Sequence, residues 1–117
     1  MNSKLTATTN MTSLTALWLA SYLNIQIVYQ LTPLCIANGW SGCYYPGEER
    51  VLVKKGLSPY WTNRVIFHEL GHACLSKLKN DMSEASAEDF ANELTDGEIV
   101  HNNEYYDNLI RDCKIKF

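Results

Sequence analysis

Residues 58–91 read SPYWTNRVIFHELGHACLSKLKNDMSEASAEDFA, and the packing of the chain turns on how this stretch folds. Ser58-Pro59 is a helix start. The serine can accept a bond from a free N–H of the first turn, and proline has no N–H to leave unpaired there. The spacing predicts a helix from this point to about Lys79, with Asn80 as its stop. Asp81 is expected to cap a second helix, DMSEASAEDFANEL, and Glu84 three residues on completes a capping-box pattern. Asp96-Gly97 is expected to end it.

Inside the first helix stands His68-Glu69-Leu70-Gly71-His72. Residues four apart share a helix face, so both imidazoles point the same way and can coordinate one Zn²⁺. Glu69 leaves the edge of that face, where it can take a proton from water activated by the metal. An H-E-x-x-H also arises by accident in packed helices, and Gly71 weighs against the accident. Glycine inside a helix costs about 1 kcal/mol relative to alanine, so a close neighbour is expected beside the histidines. A catalytic zinc takes three protein ligands and keeps one position open. The extended form of the motif, with a histidine six residues after the second, fails here because Leu75 and Leu78 hold its glycine and histidine positions. The third ligand is therefore expected on the next helix. Glu84, Ala87 and Ala91 form one stripe whose small residues would let the helices touch, with Glu88 one turn on as the competitor.

Upstream, TSLTALWLASYL (residues 12–23) reads as an amphipathic first helix capped by Thr12 or Ser13, with Leu14, Leu17, Trp18 and Tyr22 along one face. It is too short to span a bilayer, and Lys4 alone precedes it as a positive charge, which argues against a signal peptide. NIQIVYQL then alternates as a half-buried strand does, and TPLCIANGWSG reads as a loop. Pro46-Gly47 suits a tight turn between strands at about 42–45 and 50–55. Together these segments predict a three-stranded, mainly antiparallel sheet. The end of the chain, EIVHNNEYYDNLIRDCKIKF, reads as a short helix with a basic tail, and residues 1–10 are polar and expected to fray. The expected whole is one α+β domain spanning residues 1–117.

The composition is that of an ordinary globular chain, 46% hydrophobic and 20% charged over 117 residues. A net charge of −3 argues against direct nucleic-acid binding or an anionic membrane surface. The four cysteines (35, 43, 74 and 113) include no C-x-x-C pair. Reduced thiols in a cytoplasm are the default expectation. Cys74 reads as a small buried hydrophobe, and Cys35 and Cys43 are placed to pair only in oxidising surroundings.

HELGH followed by Glu84-Ala85-Ser86-Ala87-Glu88-Asp89-Phe90-Ala91, an E-x-x-A-x-x-F-A pattern, resembles the ImmA/IrrE metallopeptidases. The resemblance covers about residues 12–95. It implies a small gluzincin-type, zincin-like domain in which His68, His72 and Glu84 bind zinc and Glu69 is the general base. It further implies a phage or mobile-element protein that cleaves a DNA-binding repressor. The chain departs from the pattern where the family continues into L-L-M-P, since it reads Leu94-Thr95-Asp96-Gly97, and the interval from His72 to Glu84 is compact. No helix-turn-helix is legible, so a repressor target is expected to be a separate protein.

Other polar residues are weaker candidates. His101, Tyr105 and Tyr106 have the chemistry to stabilise an oxyanion, and Glu88, Asp89 or Asp96 could orient a ligand histidine; exposed surface positions are the alternative for each. Two imidazoles with a carboxylate suit Zn²⁺ better than Mn²⁺. The reading that follows is a cytoplasmic zinc endopeptidase. Its alternative is a module of the same fold that binds and inactivates a repressor without cutting it, for which Glu69 is superfluous. A purely structural metal site would close with four protein ligands.

Overall fold

The computed structural model describes residues 15–95 and 104–116. Along these residues the order is α1 (Ala16–Tyr22), β1 (Gln26–Val28), α2 (Pro33–Ala37), β2 (Gly42–Tyr45), β3 (Arg50–Val53), α3 (Pro59–Lys79), α4 (Glu84–Thr95) and α5 (Glu104–Lys116). The architecture is a mixed α+β one, five helices and a three-stranded sheet among the described residues.

α1 begins later than the sequence suggested. Thr15 caps it, accepting from the Trp18 N–H, and the buried stripe is Ala16, Leu19, Ala20 and Leu23. Leu17 and Trp18, expected to face inward, are 49% and 43% exposed. The reason is steric: a stripe that alternates alanine with leucine lets the helix lie closer to its neighbours than one carrying tryptophan. Trp18 instead stacks on Tyr22 at the surface, with ring centroids 5.2 Å apart. The Thr12 and Ser13 caps and Leu14 fall outside the described residues.

The sheet order is β1-β3-β2. β2 and β3 form the expected antiparallel hairpin, Gly42 opposite Val53 and Tyr45 opposite Arg50. Gly47 in its turn takes φ +86°, a conformation that a side chain disfavours. β1, however, runs parallel to β3, Gln26 beside Arg50 and Val28 beside Leu52. The expectation of a mainly antiparallel sheet is thus corrected to a mixed one. β1 reaches β3 by a crossover through α2 and β2, and a crossover delivers parallel strands where a hairpin cannot. The segment read as a loop, TPLCIANGWSG, contains α2. Thr32 caps it through a bond from the Cys35 N–H, and Pro33 occupies the first turn.

α3 is the central element. Ser58 caps it as expected, accepting from the Trp61 N–H, and Asn80 ends it in the left-handed region at φ +54°. Ile66, Phe67, Leu70, Ala73 and Cys74 join a core with Leu19 and Leu23 of α1, Val51 and Val53 of β3, Phe90, Ala91 and Leu94 of α4, and Ile110 and Cys113 of α5. The start of α4 differs from expectation. Ser83 is the cap, accepting from the Ser86 N–H at 3.2 Å, while Asp81 accepts from the Ser83 N–H and the Ser86 hydroxyl. Glu84 is therefore the first residue of the helix and not a capping-box partner, and its side chain is free to turn toward α3. The expected end of this helix at Asp96-Gly97 lies outside the described residues. α5 carries its basic residues within the helix as far as Lys116. Among the described residues no helix is long and apolar enough to cross a membrane.

Candidate metal centre

One stripe of α3 forms the floor of a cleft. Trp61, Val65, His68, His72 and Ser76 recur at intervals of four, three, four and four, the spacing of a single helix face. β2 and the residue before it supply one wall through Ser41, Gly42, Cys43 and Tyr44; Glu84, Glu88 and Met82 stand on the other side. The cleft holds about 710 Å³.

Gly71 explains how α4 reaches the histidines. A β-carbon built on it would lie 2.9 Å from Cβ and Cγ of Phe90, closer than such carbons come in real proteins. Ala87, Phe90 and Ala91 are all fully buried at this contact. The missing side chain, with the two alanines opposite, lets the helices touch and brings the first turn of α4 over the second half of α3.

Glu84 then bridges the two imidazoles. His68 Nε2 lies 2.9 Å from its Oε1 and His72 Nε2 lies 3.1 Å from its Oε2. The histidines are mostly covered, whereas the Glu84 side chain is 80% exposed, so it arrives from the open side. His68, His72 and Glu84 form a group that could hold a metal ion, with one donor atom from each lying within 4.8 Å of the others. A further contact bears on that fit. His68 Nδ1 lies 2.8 Å from Glu88 Oε1, which draws the ring proton to that nitrogen. The Nε2 lone pair is then turned toward a carboxylate oxygen, and two such acceptors come together only around a proton or a metal cation.

Glu88 is held in its turn. Arg64 donates to it and to Asn92, so Asn92, Arg64, Glu88 and His68 form one chain of contacts across α3 and α4. The Arg64 guanidinium keeps the Glu88 carboxyl below its ordinary pKa, with His68 adding to the effect and partial burial opposing it. Burial holds the His72 imidazole below its usual value, against the opposing pull of Glu84. His72 therefore stays a neutral donor to lower pH.

Glu69 is 8% exposed, and burial pushes its carboxyl up to about 7; the His68 ring lowers it, Glu84 raises it and a bond from the Tyr44 backbone lowers it. Gly42 makes room for this carboxylate. A β-carbon there would stand 3.3 Å from Glu69 Cγ and Oε2, and 2.5 Å from Val65 Cγ1. Sequence reasoning missed Gly42, Arg64 and Asn92. The first read as an ordinary loop glycine, and the other two belong to a network that exists only once α3 and α4 are side by side.

The remaining candidates lie elsewhere. Tyr106 packs edge-on against Phe90 at 5.7 Å, and Tyr105 meets Tyr106 at 4.9 Å. With Asp89 they line a small pocket between α3, α4 and α5, away from the two histidines. His101 and Asp96 lie outside the described residues. No protein-family model, curated protein or solved structure matches the chain.

Proposed function

We propose that the chain is a zinc-dependent endopeptidase in which His68, His72 and Glu84 hold the ion and Glu69 is the general base. The observation that carries this reading is the convergence of two imidazole Nε2 atoms on the two oxygens of one exposed carboxylate, beside a buried glutamate. When bound, zinc supplies Lewis acidity toward a carbonyl and toward water. The protein's own residues do the rest. Glu88 and Arg64 hold the His68 ring in one orientation. A Glu69 carboxylate oxygen accepts a proton from water and returns it to the leaving amine nitrogen.

β2 is an edge strand, since β3 pairs with it on one side only, and it borders the cleft. Among the described residues no further strand pairs with its outer edge, where the Tyr44 backbone already bonds Glu69, and the rest of that edge suits an extended peptide added as a further strand. Trp40, Trp61 and Met82, each at least 46% exposed, offer apolar contact for its side chains along the same cleft.

The substrate class rests on the HELGH and E-x-x-A-x-x-F-A resemblance: a DNA-binding repressor of a phage or mobile element, met in the cytoplasm. The donor set favours zinc over manganese. The test is cleavage of repressor proteins by the zinc-loaded wild type beside Glu69→Gln. The reading requires that the wild type cuts while the variant keeps zinc and does not. Capture of a repressor without cutting, unaffected by Glu69→Gln, would assign the chain to the non-catalytic binders instead.

A further inference from the structure

Two tryptophans of the cleft have pinned backbones and rings half in solvent. Trp40 follows α2; its N–H donates to the Cys35 carbonyl at 3.0 Å, and the next residue, Ser41, accepts from the Lys54 N–H across the hairpin at 2.9 Å. Trp61 lies in the first turn of α3, where its N–H donates to Ser58 Oγ and its ring meets Tyr60 edge-on at 5.1 Å. Trp40 is 46% exposed and Trp61 52%, and both line the cleft that holds His68 and His72. Covering a ring of this size is a large gain, so a bound side chain that covers these two takes it up.

The register of β2 on α3 places both rings at one end. Gly42 approaches Val65 and Glu69, whereas Glu49, past the end of β2, pairs with Lys77 at 3.4 Å. β2 and α3 therefore run in the same direction, and Trp40 and Trp61 stand together before the metal centre. Trp61 precedes His68 by seven positions, a rise of about 10 Å on an α-helix. An extended chain covers that distance in about three residues. Because Ser41 bonds across the hairpin, alternation turns the main chain of Gly42 to the outer edge, beside Glu69. Antiparallel pairing is the commoner and slightly more stable kind. A peptide so added runs against β2 and leaves the cleft past the tryptophans.

We propose that Trp40 and Trp61 form a subsite for a large aromatic side chain, about three residues C-terminal to the peptide bond cut at the metal centre. The position of the cut rests on the peptidase reading; the aromatic preference rests on the cleft alone. Aromatic side chains suit the subsite better than aliphatic ones, because ring pairs gain stacked or edge-on contact beyond the area they bury.

The test uses a randomised library of short peptides. It is panned against Glu69→Gln protein in the presence of zinc, which leaves peptides uncut, and digested separately by zinc-loaded wild type with the products sequenced by mass spectrometry. Panning should enrich Trp, Phe and Tyr, and digestion should place them about three positions after the cut. Trp40→Ala and Trp61→Ala, each in the Glu69→Gln background, should weaken binding of the best peptide by about tenfold with zinc content unchanged, whereas Trp61→Phe should keep most of it. Aromatic enrichment with no cleavage by the wild type upholds the subsite and sinks the peptidase reading instead. Panning that enriches no aromatic residue, a preference that survives both alanine variants, or aromatic residues placed before the cut would each overturn the proposal.

Discussion

His68 and Glu88 meet through Nδ1 and Oε1 at 2.8 Å, on the ring nitrogen that does not face Glu84. That contact is what the structure gives Glu88, the residue that competes with Glu84 in the sequence, whereas Glu84 stands with both histidines in the group that could hold an ion. Partners of this kind fix the ring and are worth roughly 10–100-fold in metal affinity. Glu88→Ala should therefore weaken zinc binding by about that factor without abolishing it, and Arg64→Ala should act in the same direction more weakly. Competition with a chromogenic chelator measures both; an unchanged affinity in Glu88→Ala contradicts the orienting role.

The contact between Gly71 and Phe90 predicts a second result. Alanine at 71 gains about 1 kcal/mol of helix propensity, but its β-carbon meets the ring at 2.9 Å. Overpacking of this kind costs about 1–3 kcal/mol. Gly71→Ala should lower stability to urea and loosen zinc binding together, because α4 must back away from α3. The same change in a Phe90→Leu background should cost less.

Glu69 makes stability depend on pH. Its carboxyl moves from 4.5 to about 7 on folding, chiefly through burial. Between those values the unfolded chain releases the proton and the folded one keeps it, so stability of the metal-free protein falls as pH rises through that window and stays lower above it. At 1.36 kcal/mol per unit the loss is about 3 kcal/mol. Glu69→Gln should consequently be more stable than the metal-free wild type above pH 7, and the gap should close near pH 4.5. A constant difference across that range would show that Glu69 is not held protonated.

Gly42 gives a prediction that separates activity from stability. A methyl group there would press on Val65 and on the Glu69 carboxylate. Gly42→Ala should lower peptide hydrolysis by at least about tenfold, the effect of a general base moved from its place. Its zinc content should be unchanged. Adding Val65→Ala should recover part of the rate.

Local chemistry made much of this legible in the sequence, and non-local chemistry hid the rest. Ser58-Pro59 and Asn80 marked both ends of α3, and the cost of Gly71 announced the neighbour that proves to be Phe90. Thr32-Pro33 carries the same start signal as Ser58-Pro59, yet it opens only five residues, too few for a periodic pattern to show. Parallel pairing of β1 with β3 leaves no mark on either strand, because it is set by the crossover. The Arg64–Glu88–His68 chain spans residues 20 and 24 positions apart, which come together only when α3 and α4 pack.

The most direct measurement is the metal content of the purified protein after exposure to zinc, wild type beside Glu84→Ala and Glu69→Gln. The account predicts about one zinc per chain in the wild type, as a three-ligand site holds. It predicts loss of that zinc in Glu84→Ala and its retention in Glu69→Gln. A wild type that takes up no zinc would contradict it and leave His68 and His72 as partners of two acidic side chains and nothing more.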